Sequence, residues 1–529
     1  MLEGHEEGGR MGDLVRDLEA DSEELIETHI SWVFLRAHEV FKVKKPVNFG
    51  FLDFSNLEAR RRACDAELAL NARLAPGVYL AVVPVTRDRD GRHAFGGAEQ
   101  VVDYAVHMKR LPRDARADLR LARGELAPEQ VDALAELLAR FHARAEPNAR
   151  VAEFGRVSVI RKNVEENFAQ ASSLLGSLAP QGAESEVEAR QLGFLLARAP
   201  LFEARVQAGR IRDGHGDLRL EHVYLVDGEE PVIIDCIEFN ERFRYADVCA
   251  DIAFLSMDFD WHGRADYKER FLATYVRVSG DEDLYGLVDF YESYRAYVRA
   301  KVCALSLADS AASFEERQAL ESQARGYLLL AQAAERPPLD VPRLIAVGGL
   351  IASGKSSLAE ALGRRLCVPV ISSDVTRKRM LGVEPTTPLA HGVGQGAYRA
   401  DRQGEVYAEV LRRARVVLES GRSVVLDATF RRRTDREAAK RLAEDVGASF
   451  SLIECRASDA VARARLEARA RGRSASDGRL EIYDELVASH EPITELPAAE
   501  HLCIDTSGSL EQSLAALASA GFSASERRR

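Results

Sequence analysis

The sequence predicts a chain of mixed α/β and α+β class with more than one domain, and three observations carry that expectation. Up to about residue 335, short β-type runs give way to long helical patterns, as in a small β-rich lobe followed by a larger helical lobe. From residue 343 onward, strand and helix alternate, which predicts a parallel sheet with helices on both faces. Between the two lies ERPPLDVPR, residues 335–343, whose three prolines disfavour helix. The expected organisation is a flexible N-terminal segment 1–24, a domain 25–335 with its small lobe ending near residue 108, a Pro-rich linker 336–342, and a second domain 343–529. A length of 529 residues suits about three compact units at roughly 150 residues each.

In chain order, SWVFL and EVFKVKKPV (residues 31–47) read as two β segments joined by a polar turn. Residues 56–74 carry Leu and Ala at helical spacing, and YLAVVPV (79–85) and VVDYAVHM (101–108) return to strand. Helical patterns dominate from Pro112 to about residue 210. HVYLVDGEEPVIIDC then reads as a hairpin turning at Asp227-Gly228, and helices run from there to the prolines. Beyond them the predicted strands are LIAVGG, VPVISSD, SVVLDATF and ASFSLIECR, each followed by a helix.

Composition excludes several classes. The chain is 46% hydrophobic and 29% charged, ordinary for a globular protein. Apolar runs fall short of the roughly 18–20 residues that cross a bilayer, and the opening MLEGHEEGGRMGDL lacks a basic and apolar leader, so a cytoplasmic location is expected. A net charge of −12 argues against nucleic-acid and anionic-membrane partners. The seven cysteines are scattered without a CxxC pair, and the twelve histidines show no paired metal spacing. Oligomeric state is not legible. Only ten of the 72 basic side chains are lysine. Three of these cluster at Lys42, Lys44 and Lys45 and one is Lys355, places where a point charge can be wanted more than a planar fork.

The strongest motif is Gly349, Leu350, Ile351, Ala352, Ser353, Gly354, Lys355, Ser356, which fits GxxxxGK[ST] after a predicted strand and at the start of a predicted helix; Ser357 follows. Its glycines let backbone N–H groups converge on phosphate oxygens, and the new helix N-terminus adds positive partial charge. Lys355 would reach the β- and γ-phosphates, and Ser356 would ligate Mg²⁺. Asp427 ends the strand SVVLD and suits a carboxylate acting on the metal; the alternative is a helix cap. Asp374 in VPVISSDVTRKR either orients or deprotonates an acceptor hydroxyl or caps the next helix, with Arg377 a candidate clamp on an anionic substrate. Arg465, Arg469, Arg471 and Arg473 form either an arginine-bearing lid over the nucleotide or a solvated helix face. GGLIASGKSS, SSDVTR and LDATF resemble, in order and spacing, the small-molecule P-loop kinases of the gluconate-kinase and zeta-toxin-like group over residues 342–510. That resemblance implies an ATP-dependent kinase of a hydroxylated acceptor.

A second constellation lies upstream. His215-Gly216-Asp217 precedes the hairpin, and the hairpin's second strand ends in Asp235. The arrangement resembles the aminoglycoside-phosphotransferase branch of the two-lobed protein-kinase-like fold over residues 25–330. The resemblance implies that Asp217 is the catalytic base, Asp235 a metal ligand and Asp251 a structural carboxylate. It further implies that Lys42 or Lys44 is the nucleotide lysine, Glu67 its ion-pair partner, and Val106–Met108 the hinge that meets adenine. Strand alternation puts Lys42 and Lys44 on one face, so spacing does not choose between them. His222 stands five residues after Asp217, where that family has a metal-binding Asn. Mg²⁺ prefers hard oxygen ligands, so His222 is expected either to hydrogen-bond a metal-bound water or to pack the hairpin.

Together the halves resemble the two-domain bacterial proteins described as bifunctional aminoglycoside phosphotransferase/ATP-binding protein. The expectation is an ATP- and Mg²⁺-dependent phosphotransferase acting on a small hydroxylated molecule. The alternatives are a regulatory protein whose kinase-like half gates the P-loop half, and a toxin-like sugar-nucleotide kinase.

Overall fold

The computed structural model describes residues 3–50, 52–176, 178, 180, 182–307, 313–334, 340–387, 389, 395–396, 399–469 and 478–522, without the side chains of residues 3–10, 172, 400 and 469. The chain divides into two compact units. The first comprises Met1–Gly263 and Tyr291–Gln332, the second Arg264–Phe290 and Ala333–Arg529. The linker expected at 336–342 is described only from residue 340.

The first unit opens with an antiparallel sheet of β1 (Glu24–Glu27), β2 (Ser31–Leu35), β3 (Glu39–Lys44), β4 (Tyr79–Arg87), β5 (His93–Phe95) and β6 (Gln100–Lys109), in the order β1-β2-β3-β6-β4-β5. Alternation along β3 turns Phe41 and Val43 to one face and Lys42 and Lys44 to the other. The first face packs against Leu14 and Leu18. These belong to a helix over Glu3–Glu19, so the N-terminal segment expected to be flexible is instead a helix whose apolar side chains close the sheet. On the opposite face lies the helix Leu57–Asn71, started by the Asn56 side chain, which accepts from the Ala59 N–H at 2.9 Å. It packs Cys64 with Val106 and Met108 and carries Glu67 inward, fully buried.

The helical lobe is organised around Val248–Trp261, whose residues 248–259 are all buried, as a helix apolar on every side must be. Beside it, β7 (Ile211–Asp213) leads into the His215–His222 loop, and β8 (Val223–Tyr224) pairs with β9 (Val232–Ile233) across the turn at Gly228. β7 also pairs antiparallel with β10 (Tyr245–Asp247), which anchors the entry to that loop as the β8–β9 pair anchors its exit.

The second unit holds a parallel sheet of β11 (Arg343–Gly348), β12 (Val370–Ser372), β13 (Val424–Asp427), β14 (Ser449–Arg456) and β15 (His501–Asp505), in the order β12-β13-β11-β14-β15. LIAV in β11 and VVLD in β13 are buried throughout, the continuous apolar pattern of strands covered on both faces. Helix Lys355–Leu366 and Leu517 of helix Leu510–Ser519 complete this core. Helix Ala265–Ser279, ended by Gly280 in the left-handed region (φ 65°), and the turn Glu282–Gly286 belong to the same unit. Arg422 bonds Glu269 at 3.0 Å and Asp289 at 2.8 Å, and Arg413 bonds Glu282 at 3.0 Å. Among the described residues, no helix is long and apolar enough to cross a membrane.

Candidate active sites

In a parallel sheet, ligands gather at the carboxyl ends of the strands, where loops leave for the helices. Here β11 delivers Gly348 and Gly349 while β13 delivers Asp427 beside them. Gly349 is required by space as well as by conformation. Its φ is 139°, and a Cβ would lie 2.5 Å from the Cys455 carbonyl oxygen and 2.7 Å from Ser353 Oγ. Gly354, with φ 87°, precedes the first turn of the helix that begins at Lys355. The loop is held from behind. Arg465 donates to the Ala352 carbonyl at 3.2 Å and to the Thr506 carbonyl at 2.6 Å, and the Thr506 hydroxyl donates to the Ser353 carbonyl at 2.5 Å. The carbonyls are thereby occupied, as a loop must arrange if its amides are to face an anion.

Lys355 and Asp427 are both buried. Burial pushes the Asp427 carboxyl up and Lys355 opposes it; Asp374 adds to the rise, and the Ser356 and Ser372 hydroxyls counter it. Asp427 Oδ1 is buried with no hydrogen-bond partner among the described residues. A buried carboxylate oxygen left open beside a serine hydroxyl is a donor set that fits a hard divalent cation.

Asp374 sits in the first turn of helix Ser373–Met380, with Ser372 as the N-cap residue. Its Oδ1 accepts from Arg377 at 2.6 Å, so the candidate acceptor-activating acid and the candidate anion clamp are bonded to each other. Of the candidate lid arginines, Arg465 is spent on the phosphate loop; the Arg469 side chain, Arg471 and Arg473 lie outside the described residues.

In the first unit, Lys42 Nζ lies 2.9 Å from Glu67 Oε1 and 2.5 Å from Asp235 Oδ1. Lys44, fully buried, lies 2.5 Å from Glu67 Oε2 and also bonds Glu238. Glu67 thus receives both lysines, but only Lys42 extends to Asp235. Asp235 has φ 69°, in the left-handed region, and its N–H donates to the Tyr79 hydroxyl. Val106 and Met108 are paired on both sides, with β3 and with β4, so the strand runs past the expected hinge to Lys109.

Asp251 accepts from the His215 N–H at 2.6 Å and the Gly216 N–H at 2.8 Å, bracing the loop as its implied structural role requires. Gly214 makes this possible, since a Cβ there would meet Asp251 Oδ2 at 2.2 Å. A second brace, missed in the sequence, is Asp258, which accepts from the Leu220 N–H at 2.8 Å. It lies two turns beyond Asp251 on the same helix, and that spacing was its only signal.

Arg219 grips Asp217 through two contacts of 3.2 Å. Burial pushes the Asp217 carboxyl up, but Arg219 and His222 outweigh it and hold it well below the usual carboxylate range. Burial and the Arg219 charge push the His222 imidazole down to about 4, so it is neutral near pH 7. Its Nδ1 lies 2.8 Å from the Asp217 carbonyl oxygen and must carry the proton; the Nε2 lone pair then lies 3.7 Å from Asp235 Oδ2. One carboxylate already bonded to lysine, with a neutral imidazole, does not fit Mg²⁺.

A family model described as "Phosphotransferase enzyme family" matches residues 40–297, and one described as "AAA domain" matches residues 344–493. The uncharacterized protein Rv2004c of Mycobacterium tuberculosis (strain ATCC 25618 / H37Rv) is 36% identical over 462 residues, 87% of this chain and 89% of that protein. Among solved structures, a gluconokinase from Sinorhizobium meliloti 1021 aligns at 21% identity over 35% of this chain and 94% of its own, with a TM-score of 0.26. A choline/ethanolamine kinase family protein from Mesorhizobium loti aligns at 14% identity over 62% of this chain and 98% of its own, with a TM-score of 0.34.

Proposed function

This chain belongs to the family of two-domain proteins in which a phosphotransferase-enzyme domain of kinase-like fold precedes a P-loop domain of kinase type, and from that premise we propose that it transfers the γ-phosphoryl group of ATP to a hydroxyl of a small molecule at the P-loop half. One observation carries the reading: the Gly349–Ser356 loop, its Ala352 and Ser353 carbonyls tied back, carries the buried Lys355 and lies beside an Asp427 oxygen with no hydrogen-bond partner among the described residues.

The acceptor hydroxyl oxygen would attack the γ-phosphorus in line as the bond to the β-phosphate's bridging oxygen breaks, leaving ADP. Lys355 would balance negative charge on the transferring group, and the loop amides would hold the β-phosphate. Asp374 would take the hydroxyl proton once Arg377 turns from it to the substrate. Ser356 and Asp427 would hold Mg²⁺, which when bound neutralises phosphate charge. No nucleic-acid or membrane partner enters this reading.

A second reading concerns the kinase-like half: it binds nucleotide through Lys42 and Glu67 and regulates, with little turnover. Arg219 closed on Asp217 and the neutral His222 in the metal position favour it.

The test is a metabolite-extract screen with γ-labelled ATP, comparing wild type with Lys355→Ala and Asp217→Ala. Labelled product should vanish in Lys355→Ala and persist in Asp217→Ala. Product lost only in Asp217→Ala would overturn the assignment of chemistry to the P-loop half.

A further inference from the structure

Glu454 on β14 and Cys503 on the edge strand β15 are register partners, and His501, two residues before Cys503, shares its face. Their ligand atoms converge. His501 Nε2 lies 2.9 Å from Glu454 Oε2, Cys503 Sγ lies 3.3 Å from the same oxygen, and the sulfur and imidazole nitrogen are 3.5 Å apart. A tetrahedral zinc ion with bonds of about 2.0–2.3 Å separates its ligands by roughly 3.3–3.8 Å. The three atoms therefore trace one face of such a tetrahedron, with Glu454 slightly tight. Another imidazole stands nearby: His490 Nε2 is 3.9 Å from Glu454 Oε1, the carboxylate oxygen that His501 and Cys503 do not share.

We propose that Glu454, His501 and Cys503 form a binding site for a single Zn²⁺ ion, with water in the fourth position. A carboxylate, an imidazole and a thiolate match a borderline-soft ion and are poor company for Mg²⁺ or Ca²⁺. Arg456 lies 2.9 Å from Glu454 Oε2, but its side chain is 64% exposed and free to turn into water when a cation arrives. The Cys503 thiol proton leaves to solvent as sulfur becomes a ligand. The ion would pin the edge strand three residues before Thr506, whose hydroxyl holds the Ser353 carbonyl. Of the cluster, Glu454 also lines a cavity of about 450 Å³ shared with Gly349 and Ser353. This site is separate from Ser356 and Asp427, so its failure would leave the kinase reading standing.

The experiment uses the full chain stripped with chelator and titrated with Co²⁺ as a spectroscopic probe, then with Zn²⁺ in competition. One equivalent should give tetrahedral visible bands and a near-ultraviolet thiolate-to-cobalt band, displaced by Zn²⁺. The thiolate band should disappear in Cys503→Ser and persist in Cys367→Ser, the control at another accessible cysteine. His501→Ala should weaken Zn²⁺ binding by about tenfold or more. Absence of a thiolate band in the wild-type protein, or its survival in Cys503→Ser, would overturn the proposal.

Discussion

Lys42 and Lys44 have the same charge, the same strand face and the same partner in Glu67, yet they stand in different electrostatic positions. Lys44 is fully buried between two buried carboxylates, Glu67 and Glu238; Lys42 joins Glu67 to the partly exposed Asp235. Removing a partner from a buried ion cluster strands the remaining charge, a loss of about 3–5 kcal/mol. Lys44→Ala is therefore expected to lower the first unit's stability by that order in urea unfolding. Lys42→Ala should leave the unfolding midpoint near wild type while weakening nucleotide binding at this half by about tenfold, or 1.4 kcal/mol, in calorimetry. Equal effects from the two variants would remove the distinction. The sequence brought both lysines to one face but not their depth, because depth depends on Glu238 and Asp235, nearly 200 residues away. Asp217 shows the same limit: its position was legible from the motif, while the guanidinium that depresses its pKa comes from Arg219, a side chain the motif leaves unspecified.

Elements long enough to show a period were legible, and those held by distant partners were not. The helix at 57–71, the strands at 31–35 and 79–87, and the P-loop with its flanking strand and helix all carry local patterns. β1, β5, β7 and β10 run for only three or four residues and exist because a neighbour pairs with them. β15 carries no strand pattern of its own, because HLCID mixes polar and apolar residues, as an edge strand with one wet face does. The helix Arg433–Asp445 adds a link that no pattern announces. Arg436, fully buried, donates to Glu495 at 3.1 Å and to the carbonyls of Phe430 and Pro492, tying the segment before β15 to the end of β13. Burial pushes the Glu495 carboxyl up, but Arg436 and backbone N–H groups outweigh it and bring it to about 2. Its folded pKa lies below the unfolded value, so the pair's stabilisation is fully present above about pH 4.5 and is lost as pH falls toward 2. Urea midpoints of the second unit should therefore drop between about pH 5 and 2.5, and Glu495→Gln should flatten that limb while lowering the neutral-pH midpoint. An unchanged acid limb in the variant would show that other carboxylates govern it.

For the whole molecule, chain order and compact units do not coincide. The prolines near 336–342 mark a break in sequence pattern, yet Arg264–Phe290, from far upstream, belongs with the P-loop unit, although the phosphotransferase-family match at 40–297 runs through it. The joint is ionic and largely dry. Glu282 is 5% exposed and holds Arg413 at 3.0 Å, with Arg379 at 3.5 Å, while Glu269 and Asp289 hold Arg422. Arg379 lies on the helix that carries Asp374 and Arg413 on the helix Ala400–Glu419, so the joint lies within the scaffold of the P-loop site. If the segment is an integral part of that unit, Glu282→Ala in the full chain removes a buried carboxylate shared by Arg379 and Arg413; Glu409 still holds Arg413 at 2.7 Å, so the loss is about 1–3 kcal/mol. For a unit of this size each kcal/mol moves the melting midpoint by about 2–4 °C, so the second unit's transition should fall by roughly 2–12 °C in scanning calorimetry. A fragment beginning at residue 340 omits the entire segment and should melt lower still, with ATP protection reduced in parallel. If Glu282→Ala melts like wild type, and the fragment keeps full stability and ATP protection, the cooperative unit begins at the prolines after all, and residues 264–290 only rest against it.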